Sequence, residues 1–285
     1  MNGKEKTIFA QIIGALTKIG ISGKDAEHIE SELQKRIENE PDPKIAFVGF
    51  SGVGKSSTLN ALFNAGQPIS HVKACTQQEK EIHGNYSEYL GSKGSVRVWD
   101  MPGMGEDITA DKRHLETYKR VLPIVDVAVW TIQADYRAMA PMQNTILLLQ
   151  KTIGNDFIQK LMFAINKADT IAPGETDWNA TLNMPSKEQQ QNIVEFENYV
   201  RSKVLQILPH WKGDIVSYSA KRRFRLEELL TAMVRASGST RQWLLPNVAD
   251  VANPIDLIDP TWLPYIKTQL AEKEREKKNR SKRYE

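Results

Sequence analysis

Residues 49 to 57 read Gly-Phe-Ser-Gly-Val-Gly-Lys-Ser-Ser and match the phosphate-binding pattern G-x-x-x-x-G-K-[ST]. The run Lys44-Ile-Ala-Phe-Val-Gly49, apolar after its lysine, predicts a short buried strand, and residues 56–63 predict the helix that follows the loop. A loop in this setting aims backbone N–H groups, with the positive end of the helix behind them, at a phosphate chain. The residues expected to contact the phosphates are Ser51, Gly52, Val53, Gly54, Lys55, Ser56 and Ser57.

Two side chains of this loop have the chemistry that nucleotide hydrolysis needs. The Lys55 ammonium can reach the β- and γ-phosphates, and the Ser56 hydroxyl can ligate Mg²⁺. The alternative is a glycine-rich turn between strand and helix that binds no ligand. The Lys-Ser pair and the flanking strand favour a nucleotide site.

Composition places the chain among ordinary globular proteins. It has 285 residues, 40% hydrophobic and 26% charged, with a formal net charge of +3. The single cysteine, Cys75, excludes an intramolecular disulfide and fits a reducing compartment. No apolar run approaches the roughly 18 residues of a membrane span, and no signal peptide is recognisable. These features predict a cytoplasmic protein without a transmembrane segment.

The chain is predicted to have three parts. Residues 1–41 form a helical N-terminal extension, residues 42–237 a nucleotide-binding domain, and residues 238–285 a helical C-terminal extension with a basic tail. The amphipathic N-terminal helices must bury their apolar stripes, either on this chain's own domain or on a partner.

Within the central part, strand and helix patterns alternate, as in an α/β fold. The predicted strands are 44–49, 80–90, 95–100, 126–132, 161–165 and 214–218, with a hairpin turn at Gly91–Gly94. The predicted helices after the phosphate loop are 111–122, 141–152, 187–208 and 225–236. Residues 171–186 are predicted to form a mobile loop.

Two short motifs in the first half can complete a phosphate and metal site. Asp100-Met-Pro-Gly103 follows a predicted strand, so the Asp100 carboxylate can hold Mg²⁺ and the Gly103 N–H can meet a γ-phosphate. Thr76 lies between the phosphate-loop helix and that strand, where its hydroxyl could close the metal shell. The alternative for Thr76 is an ordinary loop threonine. The predicted catalytic residues are Lys55, Thr76 and Gly103, and the predicted metal ligands are Ser56, Thr76 and Asp100.

Two further motifs point to guanine. Asn166-Lys167-Ala-Asp169 follows a predicted strand, and the Asp169 carboxylate can accept from the N1–H and N2–H₂ pair that adenine lacks. Ser219-Ala220-Lys221 follows the last strand, so the Ala220 N–H can reach the guanine O6. A Ser-Ala dipeptide alone carries no information and Asn-Lys-x-Asp after a strand is moderately specific, but all of these motifs in order after one phosphate loop are specific.

These residues resemble those of the Era-like GTPases, in the branch that contains the TrmE, EngA, EngB and septin families. The resemblance covers residues 42–237 and is strongest in the phosphate loop, at Asp100–Gly103 and at Asn166–Asp169. It implies a Ras-like P-loop GTPase fold with a mixed, mostly parallel sheet flanked by helices. It also implies two nucleotide-sensing switches, near residues 68–78 and 101–115.

Two positions depart from patterns known among such proteins. Some relatives of this branch carry an Asn that helps to bind an activating K⁺ where this chain has Gly52. Ras-type proteins place a water-orienting Gln where this chain has Met104. Era-like proteins, like this chain, have an apolar residue at that position. The expected activity is therefore GTP binding with slow hydrolysis to GDP and phosphate, dependent on Mg²⁺ and used as a conformational switch.

The partners expected from the sequence are a guanine nucleotide and, for faster turnover, a second copy of the chain or a separate activator. Residues 272–283 are rich in Lys and Arg, which is typical of a solvated helix end or of a contact with RNA, the ribosome or anionic lipid. The alternative function is a nucleotide-dependent interaction module whose output needs no turnover.

Overall fold

A computed structural model describes residues 41–66, 78–85 and 95–237, together with Ser31 and Thr268. Asp42–Leu90 and Gly94–Gly238 belong to one compact unit, which contains the elements below. The N-terminal helices, the turn at Gly91–Gly94, Thr76 and the basic C-terminal segment are predictions that lie outside the described residues.

The described residues form one six-stranded sheet. Its strands are β1 Lys44–Gly49, β2 Lys80–Asn85, β3 Ser95–Asp100, β4 Val127–Gln133, β5 Leu161–Asn166 and β6 Ile215–Ser217. The order across the sheet is β2-β3-β1-β4-β5-β6, and all neighbouring pairs are parallel except the antiparallel β2 and β3. The predicted mixed, mostly parallel α/β fold is confirmed.

Helices connect the strands. They are α1 Lys55–Phe63, α2 Ile108–Val121, α3 Met139–Ile153, α4 Asp156–Gln159, α5 Lys187–Ile207 and α6 Leu226–Ala236. Among the described residues, none of these helices has both the length and the apolar character needed to cross a membrane.

The central strands of the sheet are continuous apolar runs, so side chains on both of its faces must be covered by other elements. Every residue of β5 is buried, as is every residue of β4 except Gln133. On one face, Val48 and Trp130 belong to a cluster that also contains buried side chains of α2, α3 and α5. Helices α1 and α6 contact the strands as well but contribute no side chain to that cluster, and they cover the opposite face.

The helix boundaries differ from the predicted ones by a few residues, for local reasons. Helix α2 begins before the predicted residue 111 because the Asp107 carboxylate accepts from the Thr109 and Ala110 N–H groups and caps it. Helix α3 begins at Met139, before Pro141, because proline is tolerated in a first turn, where no helical bond needs its N–H.

The predicted mobile loop, residues 171–186, contains regular hydrogen bonding. It includes the 3₁₀ turn Glu175–Asp177 and an antiparallel bridge between Asn179 and Met184. Trp178 is buried and packs edge-on against Phe224, with ring centroids 4.9 Å apart. This segment, called the base-side loop below, is therefore packed onto the residues that follow β6.

Candidate functional site

Every described motif predicted from the sequence follows the carboxyl end of a strand. The phosphate loop follows β1, Asp100 ends β3, Asn166 ends β5 and Ser219 follows β6. Because these strands all run parallel in one sheet, their carboxyl ends lie at the same edge. Ligands of open parallel sheets bind at this edge.

The start of α1 is built without a side-chain cap. Its N-cap is Gly54, in the left-handed region at φ 96°, and the first turn has no acidic residue. By contrast, Asp107 caps α2, and the Ser186 hydroxyl accepts from the Gln189 N–H at the start of α5. The N-cap residue of α1 thus supplies no side-chain acceptor to the first turn, an arrangement that suits an anion.

Two glycines let neighbouring segments approach this loop closely. A Cβ on Gly54 would lie 2.2 Å from Asn166 Nδ2, and a Cβ on Gly103 would lie 2.6 Å from the Ser51 Cα. Any larger residue would separate the phosphate loop from the segments that follow β5 and β3.

Lys55 is buried, with 6% of its surface exposed. Its Nζ donates to the carbonyl oxygens of Phe50, at 3.0 Å, and Gly49, at 3.3 Å. Burial lowers the pKa of Lys55 to about 8, and the nearby Asp100 carboxylate partly opposes this shift. A cation held in this way at the phosphate loop is suited to an anionic ligand.

Ser56 and Asp100 meet beneath the loop. The Ser56 Oγ donates to Asp100 Oδ2 at 2.7 Å, and the Asp100 side chain is fully buried. Mg²⁺ prefers oxygen ligands and is often held by one or two protein oxygens together with substrate phosphates. In the described part of the chain no group of three or more His, Cys, Asp or Glu is placed to hold a metal ion. The hydroxyl–carboxylate pair therefore fits a Mg²⁺ that is shared with a phosphate ligand.

The segment after Asp100 is fixed by α2. The Tyr118 hydroxyl donates to the Pro102 carbonyl at 2.9 Å, and His114 Nδ1 donates to the Gly103 carbonyl at 3.0 Å. The backbone of Met104 is joined to the phosphate loop: its N–H donates to Gly49 O and its carbonyl accepts from Ser51 N–H. His114 and Tyr118 were not predicted as site residues, although their i, i+4 spacing on a predicted helix places them on one face.

The Met104 side chain points into the core and is 4% exposed. A thioether donates no hydrogen bond, so this side chain cannot orient a water molecule by donation. Two acidic residues, Glu106 and Asp107, follow Met104 closely. Asp107 caps α2, and the backbone hydrogen bonds that it accepts lower its pKa.

Asn166 connects the phosphate loop with the segments after β5 and β6. Its Nδ2 donates to the Val53 carbonyl at 3.1 Å, and its Oδ1 accepts from the N–H groups of Lys167, at 2.8 Å, and Ala220, at 3.1 Å. The sequence predicted that Asn166 contacts the nucleotide and that the Ala220 N–H reaches guanine. In the structure these two groups hydrogen-bond to each other.

Asp169 is the second polar residue of this motif and is 1% exposed. Neither of its carboxylate oxygens has a hydrogen-bond partner among the described residues. Burying a carboxylate without hydrogen-bond donors costs free energy. A ligand that supplies donors to both oxygens would offset that cost and so gain binding free energy. Guanine presents two adjacent N–H donors and fits this acceptor pair.

The remaining predicted residues lie around this edge. Ser51 and Gly52 are exposed, Val53 is buried, and Ser57 is half-buried in the first turn of α1. Lys167 Nζ donates to Gln133 Oε1 at 2.9 Å and to the Gly52 carbonyl at 3.3 Å. The Ser219 hydroxyl accepts from the Arg222 N–H, and Lys221 forms a salt bridge with Glu175.

The sequence did not reveal three residues that organise the Asp169 region. Gln189, fully buried on α5, donates through Nε2 to the carbonyls of Asp169, Ile171 and Gly174. Arg222 lies with its Nε 3.7 Å from Asp169 Oδ2, and Glu175 pairs with both Lys221 and Arg222. These residues are far from Asp169 or from one another along the chain, so no short sequence motif indicates their contacts.

Comparisons with known proteins agree with this arrangement. Residues 44–167 match the model of a family described as 50S ribosome-binding GTPase. YfjP of Escherichia coli (strain K12) is 34% identical over 154 residues, which are 53% of this chain and 49% of YfjP. The probable GTP-binding protein EngB of Wolbachia pipientis subsp. Culex pipiens (strain wPip) is 30% identical over 117 residues, which are 36% of this chain and 56% of that protein. The chain thus spans about half the length of these curated relatives.

A solved structure supports the fold. Toc33 from Arabidopsis thaliana, determined in complex with GDP and Mg²⁺, is 16% identical, with a TM-score of 0.51 over 75% of this chain and 92% of Toc33. At this identity the likeness concerns the fold alone. The family match over residues 44–167 and the likeness to EngB support the resemblance of this chain to P-loop GTPases of the Era/EngB-like branch.

Proposed function

We propose that this protein binds GTP and GDP, and hydrolyses GTP slowly as a nucleotide-dependent conformational switch. The observation that carries the proposal is the buried, hydrogen-bond-deficient Asp169 carboxylate at the same sheet edge as the phosphate loop. Asn166 joins the two regions directly through Val53. One ligand that carries both a guanine base and a phosphate chain would satisfy them together.

At the phosphate end, the uncapped start of α1 and the Lys55 ammonium would neutralise the charge that develops on the transferred phosphoryl group. Ser56 and Asp100, with Thr76 from outside the described residues, would hold Mg²⁺. That ion would supply further charge neutralisation and orient the β- and γ-phosphates.

At the base end, the Asp169 oxygens would accept from guanine N1–H and N2–H₂. Asn166 would hold the Ala220 segment and the phosphate loop at a fixed distance from each other, since its side-chain amide is hydrogen-bonded to both. Lys167 and Lys221 would border the base, and Ser219 would fix the turn that presents Ala220.

Gly103 and Thr76 would sense the γ-phosphate. The Asp100–Met104 segment is held to the phosphate loop through the Met104 backbone, so a phosphate placed beside Gly103 would act directly on that contact. Residues 101–115 would then form one switch, and residues 68–78, mostly outside the described part, the other.

The direct test compares the binding of GDP and ADP and then measures phosphate release from GTP in a single turnover, with Lys55→Ala as the inactive control. Selective GDP binding with slow phosphate release supports the proposal. Equal binding of ADP would overturn it. Tight GTP binding without release would favour the alternative, an interaction module that needs no turnover.

Ser56→Ala should weaken Mg²⁺-dependent GTP binding more than GDP binding in the absence of Mg²⁺, because the change removes a metal ligand. We expect a loss of about tenfold or more for GTP with Mg²⁺, measured by titration with a fluorescent nucleotide. Ser202→Ala, which removes the hydroxyl of an exposed serine on α5, is the matched control. Equal losses in both titrations would mean that Ser56 supports the loop rather than the metal.

Turnover by the isolated chain should be slow, on the order of 10⁻⁴ to 10⁻² s⁻¹, because Met104 is buried and cannot orient the attacking water. The measurement is turnover per molecule at saturating GTP as protein concentration rises. A rate that climbs indicates that a second copy supplies the missing group, and a flat, slow rate indicates a separate activator. Fast turnover by a demonstrated monomer would contradict the expectation.

The ribosome is a partner to test, since the matched family is described as ribosome-binding. The basic segment 272–283 is the predicted contact for ribosome or RNA, and it lies outside the described residues.

A further inference from the structure

A buried hydrogen bond joins the helix after the phosphate loop to the segment that follows β6. The hydroxyl oxygens of Thr58 and Tyr218 lie 2.7 Å apart, although 160 residues separate them along the chain. Both side chains are fully buried. Thr58 lies on α1, and Tyr218 directly precedes the Ser219-Ala220-Lys221 motif. The pair therefore connects two parts of the candidate site, although neither residue belongs to a short motif.

The direction of the hydrogen bonds follows from the number of protons. Thr58 Oγ1 lies 2.8 Å from the Gly54 carbonyl, which can only accept, so the threonine donates its single hydroxyl proton there. Tyr218 must then donate to the Thr58 oxygen. Burial raises the pKa of the Tyr218 hydroxyl, which therefore keeps the proton that it donates. The two bonds, from Tyr218 to Thr58 and from Thr58 to Gly54, are called the hydroxyl chain below.

The hydroxyl chain ends on a peptide group of the phosphate loop. The Gly54 carbonyl also accepts from the Thr58 N–H at 2.9 Å, as in a regular helix turn. In a planar trans peptide the C=O and N–H bonds point in opposite directions, so bonds that fix the Gly54 carbonyl also fix the Lys55 N–H. That N–H is one of the groups at the start of α1 that have no acceptor within the helix and can bind a phosphate.

The other end of the hydroxyl chain is fixed by the Tyr218 backbone. Its N–H donates to the Ile165 carbonyl at 2.8 Å, and its carbonyl accepts from the Ala168 N–H at 3.0 Å. These bonds lie on either side of Asn166-Lys167 in the sequence. Tyr218 is therefore held against the segment after β5 that leads to Asp169.

Asn166 forms a neighbouring connection between the same parts of the site. Its Nδ2 donates to the Val53 carbonyl, whereas the hydroxyl chain reaches the Gly54 carbonyl. Two consecutive peptide groups of the phosphate loop are thus held by residues that come from or follow β5 and β6. Both hydroxyls of the chain are buried and already hydrogen-bonded, so they would act on a ligand through the Gly54–Lys55 peptide group rather than by contact.

From this arrangement we propose that Thr58 and Tyr218 are positioning residues for nucleotide binding. They orient the Lys55 N–H toward the phosphates and fix it to the segment that recognises the base. The inference rests on the proposed guanine-nucleotide function and adds to it two residues outside the short motifs. The competing explanation is that the two hydroxyls only satisfy each other in the core.

A double-mutant cycle separates these explanations, with two measurements on the complete chain. One is GDP affinity, from titration with a fluorescent GDP analogue, and the other is the free energy of unfolding in urea without nucleotide. Thr58→Val leaves the Tyr218 hydroxyl buried without a hydrogen-bond partner among the described residues. Adding Tyr218→Phe removes that hydroxyl as well, so the double variant leaves neither hydroxyl unpaired.

Thr58→Val should lower the free energy of unfolding, and the double variant should recover most of this loss, because an unpaired buried hydroxyl costs more than a pair replaced by apolar groups. GDP affinity should not recover. We expect both variants to bind GDP about tenfold more weakly than the unaltered protein, since the Gly54–Lys55 peptide group has lost its connection to Tyr218. Thr58→Ser keeps the hydroxyl and should retain the GDP affinity of the unaltered protein.

Tyr199→Phe is the matched control, because it removes a tyrosine hydroxyl that donates to the Arg137 carbonyl outside the predicted site, and it should leave GDP affinity unchanged. Recovery of GDP affinity in the double variant would overturn the inference, as would an equal loss in Thr58→Ser and Thr58→Val. Failure of the unaltered protein to bind GDP would instead overturn the proposed function, so the two failures are distinguishable.

Discussion

Asp169→Asn is expected to lose GTP affinity by on the order of 3 kcal/mol, roughly a hundredfold, and to gain affinity for xanthosine triphosphate. Both oxygens of Asp169 are buried and accept no hydrogen bond from the described residues, so their pairing with the base should dominate discrimination. The asparagine amide donates where the carboxylate accepted. It therefore clashes with the guanine N2 amino group and pairs with the oxygen that xanthine carries there.

The measurement is competition of GTP and xanthosine triphosphate against one fluorescent nucleotide, for the unaltered protein and the variant. Asp177→Asn is the matched control, since it makes the same carboxylate-to-amide change at an exposed position of the base-side loop, eight residues after Asp169. Its preference for GTP should be unchanged. If Asp169→Asn also kept its GTP affinity, the assignment of guanine to this pocket would be wrong.

The fold could be predicted from the sequence because its signals are local. The apolar runs of β1, β4 and β5 are those of strands buried on both faces, and the phosphate-loop pattern fixes the first strand–helix junction. Helix ends were less well predicted. Where α2 begins depends on which acidic residue accepts from the free N–H groups of its first turn. The sequence offers Glu106, Asp107 and Asp111 and does not distinguish among them.

The sequence indicates a candidate site where polar residues lie at or just after the ends of strands, as Lys55, Asp100 and Asp169 do. The contacts of Asn166 could not be predicted, because they join segments 113 and 54 residues away along the chain. Arg222 was missed for the same reason: its charge meets Asp169 only after β5 and β6 pair. Short motifs thus indicate which groups are candidates to face a ligand, whereas the residues that position those groups can be found only from the tertiary structure.

Lys55→Met is expected to weaken GTP and GDP binding by about 3 kcal/mol or more, roughly a hundredfold, while making the nucleotide-free protein more stable. Binding falls because a charged donor to the phosphates is lost. Stability rises because the Lys55 ammonium is buried, which lowers its pKa from 10.5 to about 8. Each unit of this shift costs the folded state about 1.4 kcal/mol, so the replacement should relieve at most about 3 kcal/mol near neutral pH.

The pH dependence identifies the cause of that gain. Below pH 8 Lys55 is charged in both the folded and unfolded states, and the full cost of burying the charge is present. Between pH 8 and 10.5 the unfolded state binds more protons, so the stability of the unaltered protein rises with pH and the advantage of Lys55→Met shrinks.

Urea unfolding of the nucleotide-free protein at pH 7 and pH 9.5 measures this difference. Lys151→Met, at an exposed lysine near the end of α3, is the matched control and should change neither stability nor binding appreciably. A destabilised Lys55→Met at pH 7 would show that the bonds from Nζ to the Gly49 and Phe50 carbonyls outweigh the cost of burial. If nucleotide affinity falls while the free energy of unfolding rises, Lys55 contributes to ligand binding but destabilises the nucleotide-free fold.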